Sequence, residues 1–185
     1  GTASAQSYTK TESISYHDNT TKWVLGQTAS VTDVGTGLVQ SVTTYDATSA
    51  LPLTTSAFGK LQATATYNVN GTLATIKDGN NKSTAFTNWK RGIPQNILYA
   101  DSTTQSAVVN DNGWITSVTD ENGFTTSYGY DSMGRMASVT YPTGDTVAWT
   151  GTTRSFVPVA SSEYGIAAGH WRETVTTGNA VKVTY

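Results

Sequence analysis

Apolar and polar residues alternate with a period of two along much of the chain. From Leu61 to Tyr67 the residues Leu61, Ala63, Ala65 and Tyr67 share one face and Gln62, Thr64 and Thr66 the other, a pattern that suits a half-buried strand rather than a helix. Tyr8 to Tyr16 alternates in the same way, with Thr or Ser at each odd position. Phe124, Thr126, Tyr128 and Tyr130 share a face in a further strand, and Val147 and Trp149 do so in the next. Turn signals separate these runs. His17-Asp18-Asn19 and Gly35-Thr36-Gly37 mark the first two, and Pro52 marks an edge or irregular strand. Asn70-Gly71, Asn112-Gly113 and Asn122-Gly123 read as primed hairpin turns whose two central residues both accept positive φ. Asp78-Gly79 is a relative of these turns, and Gly144-Asp145 stands in type II′ order.

The turns recur in phase. Gly71, Gly92, Gly113 and Gly134 are spaced by 21 residues, and Gly123 and Gly144 follow the last two by ten. Further back the phase drifts: Ser49 stands after Tyr45-Asp46 as Gly134 stands after Tyr130-Asp131, with one extra residue. Gly26-Gln-Thr-Ala-Ser-Val-Thr32 matches Gly134-Arg-Met-Ala-Ser-Val-Thr140 at five of seven positions. The clearest units are 26–48, 49–70, 71–91, 92–112, 113–133 and 134–154, with degenerate repeats over 155–185. A lone hairpin is marginal in water, so each unit must cover its apolar face with the next. The expected fold is therefore all-β: antiparallel hairpin repeats of about 21 residues forming one curved, twisted sheet, a single module over 1–185 cut from a longer array.

Composition agrees with a folded sheet. Only 13% of the residues are charged and the net charge is −2, while five Trp, ten Tyr and many Thr are residues that fit pleated surfaces. No Lys/Arg cluster is present to displace counterions, which sets nucleic-acid binding aside. No run of eighteen apolar residues exists, so no membrane-spanning segment is expected. The absence of cysteine rules out disulfides and thiolate chemistry. Ala3-Ser4-Ala5 has the small residues of a signal-cleavage site, but no apolar segment stands before it in the sequence, and a frayed, polar first segment is the expectation.

Candidate chemistry is sparse. His17 and His170 are the only histidines, and His170 would need Ser161 or Ser162, with Glu163 or Glu173, to make a hydrolytic site. No Gly-x-Ser-x-Gly elbow is present, and a surface loop histidine is the expectation. Asp111-Asn112 and Asp120-Glu121-Asn122 lack calcium-loop spacing and are explained by turn chemistry. No catalytic residue, metal or cofactor is expected. Trp23, Trp89, Trp114, Trp149 and Trp171 are either core between units or stacking platforms for sugars.

Tyr130-Asp131-Ser-Met-Gly134-Arg135-Met136, followed by Thr140, Pro142 and Gly144, resembles the YD repeat of the RHS family, with Met136 in place of the usual Leu. Tyr45-Asp46 keeps the pair without Gly-Arg, Tyr67-Asn68 and Val109-Asn110 replace Asp by Asn, and Trp89-Lys-Arg-Gly92 keeps an aromatic and the glycine. The resemblance implies repeat-structural roles for Tyr45, Asp46, Gly71, Gly92, Gly113, Gly123, Tyr130, Asp131, Gly134, Arg135 and Gly144. It also implies a β-ribbon shell of the kind found in exported bacterial polymorphic toxins, insecticidal toxin complexes and animal teneurins. In that setting the partners are neighbouring repeats and an enclosed C-terminal toxin segment, and the location is secreted or at the bacterial cell surface. A carbohydrate-binding, adhesive module using the exposed aromatics is the alternative. The Asp-Pro-x-Gly autocleavage element of the family has no counterpart, since none of the four prolines follows an Asp.

Overall fold

The computed structural model describes residues 9–144, 146 and 149–185. Ala3-Ser4-Ala5, Tyr8, Asp145 and Val147 lie outside them, and with them the pairing of Val147 with Trp149 and the turn at Gly144-Asp145. Among the described residues there is no helix, and fifteen strands follow one another: β1 (Glu12–Asn19), β2 (Val24–Asp33), β3 (Val39–Tyr45), β4 (Pro52–Ala57), β5 (Lys60–Tyr67), β6 (Leu73–Asp78), β7 (Ser83–Lys90), β8 (Ile93–Leu98), β9 (Thr104–Val109), β10 (Ile115–Thr119), β11 (Thr125–Tyr130), β12 (Met136–Thr140), β13 (Thr152–Val159), β14 (His170–Thr177) and β15 (Ala180–Thr184). They form one antiparallel sheet whose strand order is the chain order. Two compact units divide the chain, one taking residues up to Phe86 with Tyr99–Asp101, the other Thr87–Leu98 and Ser102–Tyr185.

In the first unit β1 to β6 form successive hairpins. The run read from Leu61 to Tyr67 lies in the observed β5, but a bulge that leaves Gln62 extra interrupts the alternation, and Leu61 is exposed. Pro52, expected on an edge or irregular strand, opens the interior strand β4 opposite Tyr45, at an irregularity in the ladder. A proline at a first strand position beside a ladder irregularity removes no hydrogen bond that the sheet needs. His17-Asp18-Asn19, read as a turn, completes β1, and the chain turns at 20–23. Packing overrides the turn preference there. The His17 ring stacks on Tyr45 with centroids 5.4 Å apart, and the buried Asn19 donates from Nδ2 to the Ala47 carbonyl while its Oδ1 accepts from Lys22 N–H.

In the second unit β8 to β15 continue the pattern. Thr126, Tyr128 and Tyr130 are half-buried while Thr125 and Ser127 are exposed, as the period of two requires. The pairing of β13 with β14 runs without a bulge from Thr152↔Thr177 to Val159↔His170. Trp149 lies outside any strand, between β12 and β13.

The turns differ from the primed type expected. Asp120 N–H donates to the Phe124 carbonyl (2.9 Å) and Gly123 N–H to the Asp120 carbonyl (3.0 Å). That is a three-residue loop in which only the glycine takes positive φ, as in a type I turn followed by a G1 bulge. Asn70, Asn112 and Asn122 keep negative φ. Positive φ recurs at Gly71, Asn81, Gly92, Ser102, Gly113, Gly123, Gly134 and Gly144, so Asn81 and Ser102 occupy positions that glycine holds elsewhere. Gly79 is not the left-handed residue of its turn. It is needed because a Cβ there would come within 2.4 Å of the Leu61 carbonyl oxygen. Likewise Ala50 (φ 62), not Ser49, holds the position corresponding to Gly134.

Primed turns do occur, at Phe58-Gly59 and Arg91-Gly92, where both central residues have positive φ. Phe58 is 63% exposed, so its side chain contributes little to offset that conformation. Phe58→Asn is expected to raise stability by about 0.5–1 kcal/mol, read as a higher midpoint in urea.

Candidate functional site

The repeated feature with most chemistry is the junction around Tyr130-Asp131. Asp131 Oδ1 accepts from the N–H groups of Met133 (2.9 Å) and Arg135 (3.0 Å). Its Oδ2 accepts from Arg135 Nε at 2.7 Å. The Arg135 guanidinium then lies 4.3 Å from the centre of the Phe156 ring and 5.6 Å from that of Trp171. One carboxylate thus fixes the turn and aims a cation at two aromatic rings. Asp78, Asn110 and Asp120 accept from the amides two and four residues on in the same way. Asp33 and Asp46 use a loop one residue longer, held by Thr36 and Ser49 through both amide and hydroxyl.

Beside each such turn the ladder carries a bulge. Tyr130 pairs with Met136 and Gly129 with Ser138, which leaves Ala137 as the extra residue. Leu53, Ala74 and Thr116 are extra in the same sense opposite Tyr45, Tyr67 and Val109. The tyrosines then reach the preceding strand. The Tyr130 hydroxyl donates to the Ile115 carbonyl at 2.7 Å, that of Tyr67 to Pro52 at 2.7 Å and that of Tyr45 to Thr28 at 2.8 Å. Each acceptor stands immediately before the extra residue of an earlier bulge, Thr116, Leu53 and Ala29 respectively. Val109 has no hydroxyl, and there Gln95 bridges instead, accepting from Val109 N–H and donating to the Asn88 carbonyl.

Gly134 completes the arrangement. Its φ is +80°, and a Cβ there would stand 2.6 Å from Cζ2 of Trp114, whose rings lie 5.2 Å from Tyr130. The equivalent Gly113 faces the Cβ of Arg91 at 3.4 Å, whereas Gly71, Gly92, Gly123 and Gly144 face open space.

The carboxylates respond to these contacts. The amide and hydroxyl of Thr36 hold Asp33 below the usual carboxylate range, and those of Ser49 do the same for Asp46. Burial pushes Asp131 up, but the amide and guanidinium of Arg135 and the amide of Met133 outweigh it and the net shift is downward. A depressed carboxylate contributes stability above its unfolded pKa, and that contribution disappears as pH falls through the folded value. The melting temperature is therefore expected to decline from about pH 4 downward. Asp131→Asn, which keeps the amide bonds but loses the ion pair, should show a shallower decline than the unaltered protein in a pH series of thermal melts.

The five tryptophans do not converge. Trp23 is 77% exposed at a turn, at φ 58°. Trp89 is half-buried in β7. Trp114 packs on Gly134 and Tyr130, Trp171 lies under Arg135, and Trp149 pairs with Tyr141. His170, expected in a surface loop, opens β14 with a side chain only 11% exposed. Its Nδ1 lies 2.8 Å from the Ala167 carbonyl and its Nε2 3.3 Å from Glu163, which also accepts from Arg172. Both ring nitrogens are thus occupied without Ser161 or Ser162. Among the described residues no group of His, Asp and Glu has the makings of a metal site.

A family model described as RHS Repeat matches residues 109–146, the stretch that carries the Tyr130-Asp131 junction, while those of Tyr45 and Tyr67 lie before it. That stretch carries an RHS repeat. Solved structures agree on the fold. The chain superposes on the crystal structure of TcdB2-TccC3-Cdc42 with a TM-score of 0.56 at 15% identity, covering 91% of this chain and 10% of that one. It superposes on the Photorhabdus luminescens Tc holotoxin pore with a TccC3 mutation at 0.54 and 15% identity, covering 86% and 9%. For TcdB2-TccC3 without its hypervariable C-terminal region the values are 0.55 and 15%, with coverage of 86% and 9%. The chain thus spans about a tenth of the length of these structural matches. No curated protein matches it significantly.

Proposed function

We propose that this chain is a non-catalytic section of wall in an RHS/YD-repeat β shell that encloses or presents a toxin or other effector polypeptide. The observation that carries the reading is the junction repeated along the sheet, in which a tyrosine hydroxyl closes onto the strand before it. Such a junction couples neighbouring strands, as a wall requires. His170 is engaged at both nitrogens, in keeping with a structural role. The repeat-structural residues Tyr45, Asp46, Gly71, Gly92, Gly113, Gly123, Tyr130, Asp131, Gly134, Arg135 and Gly144 act in this reading as register pins within one module, whose partners are further repeats of a longer, secreted polypeptide.

The test uses the complete reading frame from which the chain comes. Further units of the 21-residue pattern and an unrelated C-terminal segment are expected. That segment should resist protease in the native protein and be digested after denaturation. A C-terminal segment cut equally fast in both states would overturn enclosure, and a frame that continues into a surface anchor would favour presentation of the sheet itself.

A further inference from the structure

We propose that the hollow beside the turn of Asp120 binds a small quaternary-ammonium ligand with an oxygen-bearing tail, a choline-type cation. Asp120, Phe124, Tyr141, Pro142 and Trp149 line a hollow of 290 Å³ within the second unit. Its three rings remain accessible, with exposures of 43% for Phe124, 36% for Tyr141 and 63% for Trp149. The Tyr141 and Trp149 rings stand 6.1 Å apart at 51°, an open V rather than a closed stack. Ring faces carry negative quadrupole charge, and converging faces attract a weakly hydrated cation.

Asp120 adds a formal charge of the same sign. Its Oδ1 is taken by the amides of Asn122 and Phe124, and none of the hydrogen bonds among the described residues uses Oδ2. Among the described residues no Lys or Arg lines the hollow to cancel that charge. A single carboxylate among rings is a poor site for calcium or magnesium, which require six or more oxygen ligands. It is also thin in polar partners for a sugar, whose several hydroxyls each need one. A quaternary ammonium needs neither.

The tail is read from the adjoining hollow. It has a volume of 280 Å³, shares Phe124, Tyr141 and Pro142 with the first, and adds the polar residues Ser127, Thr143 and Thr125, the last with its hydroxyl paired to that of Thr119. Cation and oxygen acceptors thus find their places side by side across the Tyr141–Pro142 ridge.

The test is a titration of ¹⁵N-labelled protein followed through the indole N–H resonances, with that of Trp149 assigned by Trp149→Phe. Choline chloride is expected to give a saturable shift confined to Trp149, while its neutral isostere 3,3-dimethyl-1-butanol gives none. Asp120→Asn, which keeps the amide bonds as Asn110 does in its own turn, should weaken choline binding roughly three- to tenfold. A separate arm with phosphatidylcholine vesicles distinguishes a lipid headgroup from a free solute: co-sedimentation lost in Trp149→Ala assigns the headgroup, and its absence with the choline shift intact assigns the solute. Equal shifts from choline and the neutral isostere, a stronger response to glucose, or no shift at Trp149 with either choline or vesicles would overturn the proposal. Failure here leaves the shell reading untouched, since that rests on the repeats and on protease protection.

Discussion

Gly134→Ala is expected to lower stability by about 2–4 kcal/mol, and with it the melting temperature by roughly 10 °C. Two effects add. Alanine at a φ of +80° costs about 1 kcal/mol. The new methyl would also stand 2.6 Å from the indole of Trp114, and a half-buried ring flanked by Tyr130 cannot give way without losing its own contact. Gly123→Ala separates the two, because its φ is +84° but no atom lies within 4 Å of the added Cβ. That variant should lose only the backbone part. Combining Gly134→Ala with Trp114→Ala should likewise recover the overlap part, so that the double variant is more stable than the sum of the singles predicts. Equal losses for the two glycine variants would show that the indole does not rest on Gly134.

Tyr130→Ala is expected to cost about 2–3 kcal/mol in the same thermal or urea measurement. The change removes a ring packed 5.2 Å from Trp114 and the donor to the Ile115 carbonyl. Tyr130→Phe keeps the ring and leaves the carbonyl without its phenol, at a cost of about 1 kcal/mol. The difference between the two variants measures packing against hydrogen bonding at a junction. If Tyr130→Phe is as harmful as Tyr130→Ala, the hydroxyl rather than the ring holds the two strands together.

Strands and repeats are legible in the sequence because both are periodic. Leu61 to Tyr67 alternates plainly, and glycines at 71, 92, 113 and 134 mark the repeating unit by their spacing alone. Local geometry that different side chains can share is not legible in this way. Asn81, Ser102 and Ala50 take the left-handed backbone that glycine takes elsewhere, and nothing in their identity distinguishes them from ordinary turn residues. The bulges are hidden for a related reason, since the extra residues Ala137, Thr116, Ala74 and Leu53 have no feature in common. Their regular spacing, in phase with the residues opposite them, is the signal that could reveal them. His170 reads as a loop residue because loop length conceals its place at the start of β14, where Glu163 folds back onto it. The aromatic hollow draws on Tyr141 and Phe124, which the tryptophan count alone does not single out.

The tyrosine bonds also have a direction. Each phenol closes on a carbonyl that precedes it in the chain, by 15 residues for Tyr67 and Tyr130 and by 17 for Tyr45. During synthesis the carbonyl therefore emerges first and waits for a residue that the ribosome has yet to add. Every strand so locked is completed by its successor, and the growing sheet always carries one unfinished strand at its leading edge.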